Sequence, residues 1–279
     1  MRTYLDCFPC FLSQALRAAR IATDDEVKIK MVLDEVGMML REIPLESTPP
    51  ETGRRIYQKV SEITGHRDPY REIKGESTQE ALDLYPSLKQ RVAASDSRLE
   101  TAVRMAIAGN VIDFGPNRAF EMAREIDETL QKAPAVWDMG RFVEGVKQAS
   151  EILYLGDNAG ECVFDHILIE ELKKPVTYVV REVPVINDAT YEDAKAAGLD
   201  RVAHILSSGT DAPGTILDTC SRPFRDIFER AECIISKGQG NYEALSGEQR
   251  PIFFLLKAKC QVIATDIGVQ EGDIVLKAG

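Results

Sequence analysis

From Glu151 onward, apolar runs of strand length alternate with helical segments, and that alternation leaves few folds open to the chain. The runs are Ile152–Leu155, Val176–Val180, Val202–Leu206, Cys233–Ser236, Ile252–Leu256 and Val262–Thr265, with helices between the earlier ones. The pattern predicts an α/β fold with a mainly parallel sheet flanked by helices. Right-handed crossovers then bring the strand-to-helix loops to one edge. In the first unit an apolar run stops at Gly156, and Asp157, Asn158, Ala159, Gly160 and Glu161 follow. An apolar-periodic segment from Val163 to Leu172 then reads as a helix. Ligands of open α/β sheets bind outside the carboxyl ends of the strands, which draws attention to Asp157 and Asn158.

The chain before this point, to about residue 148, reads as helical. Phe8 to Ala22 carries Phe11, Leu12, Ala15 and Ala19 at helical spacing, with Pro9 tolerable in a first turn. Thr23 to Glu26 has capping-box spacing and opens a second helix with Val27, Met31, Val32, Val36 and Met39 on an apolar face. Pro44 and the run from Ser47 to Pro50 end it. Further helices are read at Glu51 to Thr64 (stopped by Gly65), Ser77 to Ala94 (interrupted by Pro86), Arg98 to Ala108, Asn117 to Gln131 and Gly140 to Ala149. The segment from Gly109 to Gly115 breaks this series. Gly109 is explained by a helix C-terminus, which accounts less well for Asn110 and Asp113.

A net charge of −11 argues against nucleic acid as a partner, because polyanion-binding surfaces show the opposite balance. A small anionic substrate stays compatible if a divalent cation or a few local lysines offset the field. No apolar run approaches the roughly 20 residues of a membrane span. The first residues, Met1 to Asp6, lack the apolar core of a signal peptide, so a cytoplasmic location is expected. The six cysteines then default to free thiols. Cys7 and Cys10 admit three readings: buried small apolar residues, a redox pair, or half a metal site. The first is preferred because free cysteine is most often buried and inert, and a zinc site lacks further ligands with suitable spacing.

The loops after consecutive strands carry the chemical signal. Asp157 and Asn158 follow the first, Arg181 to Thr190 the second, and Ser207 to Gly214 the third. Lys237 to Tyr242 follow the fourth, and the fifth ends at Lys257. Together they surround one crevice with carboxylates, amides and two lysines, a mixture suited to a hard divalent cation and a phosphate. Plainer readings exist for each part. Asp157–Asn158 can be a turn and a helix N-cap, Asp188 with Thr190 another cap, Lys237–Gly238 a strand end with a turn glycine, and Lys257 a solvated strand end.

Four segments resemble the metal-dependent damage-control phosphatase family, long called domain of unknown function 89. They are Gly156 to Glu161, Ile186 to Thr190, Lys237 to Tyr242 and Leu256 to Ala258. The Cys7-Phe8-Pro9-Cys10 segment resembles the paired-cysteine mark of its stand-alone microbial branch. The resemblance implies a helical N-terminal lobe (1–96) on a three-layer α/β/α sandwich (97–279). It implies hydrolysis of small phosphorylated metabolites such as sugar phosphates, with Mg²⁺, Mn²⁺, Co²⁺ or Ni²⁺ as cofactor. On this likeness the metal ligands fall on Asp157, Asn158 and Asp188, and Asp157 and Lys257 take the catalytic roles. Lys237, Gly238, Asn241 and Lys257 would contact phosphate, while Asn110 and Asp113 approach the substrate. Relatives often carry Asp where Gln239 stands. The nucleophile is either water activated at the cation or Asp157 itself.

Two other classes compete. An S-adenosylmethionine-dependent carboxyl methyltransferase would also place a glycine-bearing loop after its first strand, but the dense Gly-x-Gly spacing is missing. A non-catalytic module would bind phosphate esters without turnover. A metal requirement for phosphomonoester hydrolysis separates the phosphatase from both.

Overall fold

The computed structural model describes residues 1–111 and 118–279. Three helices, α1 (Cys7–Ala22), α2 (Glu26–Leu40) and α3 (Pro49–Thr64), make an N-terminal lobe with its own core of Phe11, Ala15, Val32, Val36, Ile56 and Val60. The alanines of α1 recur at three- and four-residue spacing, so its buried stripe is narrow and lets the neighbouring helices approach closely. Asp25 caps α2, its carboxylate accepting from the Val27 and Lys28 amides, rather than a capping box formed by Thr23 and Glu26. Val27 and Met31, expected on the apolar face, are 69% and 49% exposed. Thr48 and Glu51 form the reciprocal capping box of α3, and Gly65 ends that helix at φ 80°, in the left-handed region glycine tolerates.

Next come α4 (Arg71–Ala93) and α5 (Arg98–Ala108). Helix α4 runs unbroken through Pro86, where the sequence predicted an interruption. Its packing on α8 (Glu161–Leu172) carries the chain past the missing amide. Ala81, Leu88 and Val92 of α4 join the sandwich core, so part of the span expected in the lobe packs with the sheet.

The sheet has the strands β1 (Val136–Trp137), β2 (Ile152–Leu155), β3 (Val176–Val180), β4 (His204–Ser207), β5 (Ile234–Lys237), β6 (Ile252–Lys257) and β7 (Ile274–Ala278). Their spatial order is β1-β7-β6-β5-β2-β3-β4, and every neighbouring pair is parallel except β6 and β7. Side chains alternate across it as the pleat requires. Ile152 and Tyr154 face the layer of α4, α5, α7 (Met139–Gln148) and α8, while Leu153 and Leu155 face α10 (Arg222–Arg230), α11 (Gln239–Leu245) and α12 (Gln261–Ile267). The remaining helices are α6 (Arg118–Gln131) and α9 (Tyr191–Ala196).

The sixth predicted strand is a helix. Val262 to Thr265 lie in α12, which starts after an extended Cys260 and stops at Gly268 with φ 85°. A short run of four residues, three of them β-branched, fits one buried helical turn as well as a strand, and Ile263 and Ala264 are buried in that turn. The last strand is β7 instead, antiparallel to β6. Among the described residues no helix is long and apolar enough to cross a membrane.

Candidate functional site

Strand β2 ends where the strand order reverses, with β3 on one side and β5 on the other. This is the switch point at which open α/β sheets form their crevice. Gly156 is required by packing, because a Cβ there would stand 2.5 Å from the Tyr178 hydroxyl. The loops after β2 and β3 are stitched together by their backbones. The Ala189 amide donates to the Asp157 carbonyl at 2.7 Å, and the Ala159 amide to the Asn187 carbonyl at 2.9 Å. A single antiparallel bridge pairs Asn158 with Asp188. Ile186, at φ 41°, makes the turn that precedes Asn187 and Asp188, an unusual conformation for a β-branched residue. Asp157, Asn158 and Asp188, 31 residues apart in sequence at the extremes (188 − 157) and so roughly the length of one βαβ unit, are thereby brought together.

Their side chains are set by buried partners. Asp188 is 2% exposed and accepts from the Arg181 guanidinium at 2.7 Å. Asn110 donates to the Asp157 carboxylate at 2.8 Å, and Asn158 donates to the same oxygen at 3.0 Å. Both amides also donate to Glu161, the first residue of α8. Burial, then the charges of Glu161 and Asp188, push the Asp157 carboxyl well above the usual range, with Arg181 and Lys259 opposing. Burial also raises Asp188, against the pull of Arg181. The Asn110 Oδ1 is buried and lacks a hydrogen-bond partner among the described residues.

This donor set fits a hard divalent cation. Two carboxylates and the amide side chains of Asn110 and Asn158 meet at a half-buried place where negative charge repels itself, and carboxylate and amide oxygens are the ligand type that suits Mg²⁺ or Mn²⁺. Among the described residues no group of three or more His, Cys, Asp or Glu is arranged to hold a metal by itself. A cation here would therefore take Asp157, Asp188 and the Asn158 amide oxygen, with water or substrate completing its shell.

Several expected contacts resolve differently. Lys237 is fully buried, and its ammonium donates to Glu161 at 3.0 Å and Asp165 at 2.6 Å. Burial works against its charge, but the two carboxylates outweigh that and hold its pKa above the ordinary lysine value. Its ammonium is thus committed inside the protein, not offered to phosphate. Asn241 is also fully buried. Its amide oxygen accepts from Arg181 and Thr215, and its nitrogen donates to the Gly156 and Lys237 carbonyls, so it braces the loops behind the site. Gly238, at φ 79°, backs onto Asp157, whose carboxylate would lie 2.0 Å from an added Cβ. The Gly238 amide donates to the Leu255 carbonyl and serves the sheet. Asp113 lies outside the described residues.

In front of these residues a cavity of about 660 Å³ lies between the helical lobe and the carboxyl edge of the sheet. Asn110, Asp157, Asn158 and Asp188 line its sheet side, and Gln14, Arg17 and Tyr57 its lobe side. Lys257, half-buried at the end of β6, is not on the described wall, whereas Lys259 is. Chain direction explains the difference: β6 ends at Lys257, and the following turn delivers Lys259 to the crevice. Cys7 and Cys10 both touch the cavity, but Cys7 is buried in the lobe core and Cys10 is exposed, so the pair is not jointly core-facing. Arg181, Glu161, Lys259 and Glu243 received no role from sequence reasoning. Arg181 alone carried a usable signal, as a cation directly after an apolar strand.

A family model, described as Damage-control phosphatase ARMT1-like domain, matches residues 3–275. A protein of Archaeoglobus fulgidus named as a damage-control phosphatase is 38% identical, covering 97% of each chain. Another so named, from Pyrococcus horikoshii, is 36% identical over 99% of this chain and 97% of its own. The crystal structure of a DUF89 family protein from Pyrococcus horikoshii superposes with a TM-score of 0.92 at 34% identity, covering 100% of this chain and 99% of that one. With the model spanning nearly the whole chain and relatives of this closeness matching end to end, the chain belongs to the damage-control phosphatase ARMT1-like domain family.

Proposed function

We propose that this protein is a metal-dependent phosphatase acting on small phosphorylated metabolites. The observation that carries the reading is the stitching of the β2 and β3 loops, which gathers Asp157, Asn158 and Asp188 at the head of a metabolite-sized cavity. The names of the relatives support the phosphatase part of it.

The protein's own residues account for the rest of the chemistry. Asp157, Asn158 and Asp188 would hold the cation, which when bound withdraws charge from a phosphoryl oxygen. Arg181 fixes the Asp188 carboxylate, and Asn110 fixes Asp157, so neither has to reorganise during reaction. Lys259, on the same wall and close enough to act on the charge of Asp157, neutralises phosphoryl oxygens. The lobe supplies the facing wall of the crevice through Gln14, Arg17 and Tyr57.

Screening phosphomonoesters with Mg²⁺, Mn²⁺, Co²⁺ or Ni²⁺, and after chelation, tests the activity. Turnover that survives complete chelation would refute the metal requirement. A calorimetric check is independent of substrate. Saturating cation should raise the melting temperature of the wild type, with about 2.7 kcal/mol gained at about 100 times Kd. No shift with any of the four cations would count against the site.

The two lysines make a second comparison. Lys259→Ala is expected to lower kcat/KM by about 10- to 100-fold, the loss of one charge-assisted contact to phosphate. Lys257→Ala should cost less. The reverse ranking would restore Lys257 as the phosphate anchor.

A further inference from the structure

Helix α11 carries a carboxyl that the chemistry above does not use. Glu243 lines the same cavity as Asp157 and Asn158. Gln239, one turn earlier, donates from Nε2 to the Glu243 Oε1 at 3.1 Å, and its own Oε1 accepts from the Lys259 amide at 3.1 Å. One side-chain amide therefore ties this carboxyl to the backbone of the lysine that acts on Asp157. The tie also gives Gln239 a task, since it orients a neighbour and reaches the loop after β6.

A phosphoryl group held at the Asp157–Asp188 end of the cavity directs its ester oxygen toward the remaining wall. That oxygen must gain a proton as its bond to phosphorus breaks, unless the leaving group is a stable anion. The carboxyls on the described wall are few. Asp157 and Asp188 belong to the cation end, and Asp6 is exposed. We propose that Glu243 is the general acid of the hydrolysis, oriented by Gln239 and protonating the departing oxygen; this rests on the phosphatase reading above. Gln239 donates to Oε1, so the transferable proton resides on Oε2.

The step balances simply. The P–O ester bond breaks and its electron pair stays on the leaving oxygen, which takes the proton of Glu243. Water supplies hydroxyl to phosphorus, and its proton returns the carboxylate to the acid form, so the products are an alcohol and inorganic phosphate. The surroundings of Glu243 suit a group that is an acid near neutrality. Burial pushes its pKa up to about 7; the Gln239 hydrogen bond and the Met1 ammonium draw it down, and Asp266 of α12 raises it. From α1, the Cys7 thiol also faces it, itself raised chiefly by burial.

The test compares Glu243→Gln with the wild type on an alkyl phosphate and on 4-nitrophenyl phosphate, whose phenolate departs without needing a proton. The expected loss in kcat is on the order of 10²-fold with the alkyl ester. The loss with the aryl ester should be at least about tenfold smaller, as its leaving group demands less acid catalysis. With the alkyl ester, wild-type kcat should fall as pH rises through about 7, and Glu243→Gln should lack that limb. Equal losses on both esters, with the limb retained, would overturn the assignment while leaving the phosphatase reading intact. A wild type that hydrolyses neither ester with any of the four cations overturns both. Infrared titration of the wild type needs no turnover. A protonated-carboxyl band that ionises near pH 7 and is missing from Glu243→Gln is expected, and a Glu243 ionised well below neutrality would refute the proposal.

Discussion

Asp157→Asn protein is expected to fold normally and to lose about 10³-fold in turnover, equivalent to about 4 kcal/mol of charge stabilisation at the reacting phosphoryl group. The two halves of this expectation have separate causes. The substitution keeps an oxygen that accepts from Asn110 and Asn158, and it removes a negative charge crowded by Glu161 and Asp188. The melting temperature of the metal-free variant should therefore equal or exceed that of the wild type. The activity loss follows because an amide neither binds a hard cation as tightly as a carboxylate nor serves as a nucleophile. Steady-state kinetics with a good substrate, beside a thermal melt, checks both. Wild-type turnover in a folded, metal-supplemented Asp157→Asn protein would exclude Asp157 from the chemistry. The same melt, repeated with cation, should show a diminished metal-induced rise.

Lys237→Met should act on the fold before it acts on catalysis. Removing this ammonium leaves Glu161 and Asp165 buried without their common counter-charge, and breaking a buried pair in this way costs about 3–5 kcal/mol. Urea denaturation should show the loss directly. Exposed pairs such as Lys30–Asp34 give the contrast, since their removal changes stability by at most about 1 kcal/mol. A Lys237→Met protein with unchanged stability and a raised KM would mean that the lysine contacts substrate after all. Tyr154 and Tyr178 both donate to Asp165, so the damage should spread through the sheet beneath the site.

The family resemblance and the lobe-on-sandwich arrangement were legible because they rest on local pattern. Apolar runs such as Ile152–Leu155 and Val176–Val180 end in glycine or polar residues, and these became parallel strands with the boundaries expected. The run Val262–Thr265 misled for the same reason: periodicity over four residues does not distinguish a strand from one buried helical turn. Strand β1, of two residues, is too short to leave a pattern at all.

At the site, sequence by itself determined which loops carry oxygen-bearing side chains and that parallel crossovers put them on one edge, because handedness and strand direction are properties of the chain. It also placed Asp157, Asn158 and Asp188 among the residues that meet there. Only the tertiary structure decided which way the charged groups turn. The sequence points to Lys237 and Lys257 and passes over Lys259, yet Lys237 is sealed against Glu161 and Asp165 and it is Lys259 that lines the cavity. Asn241 looks like a ligand-binding amide but spends both its ends on Arg181, Thr215 and two carbonyls. The physical reason is that burying a charge or an amide demands partners, and those partners come from segments as distant as α8 and β5. Such pairing is settled by which surfaces pack together, not by spacing along the chain.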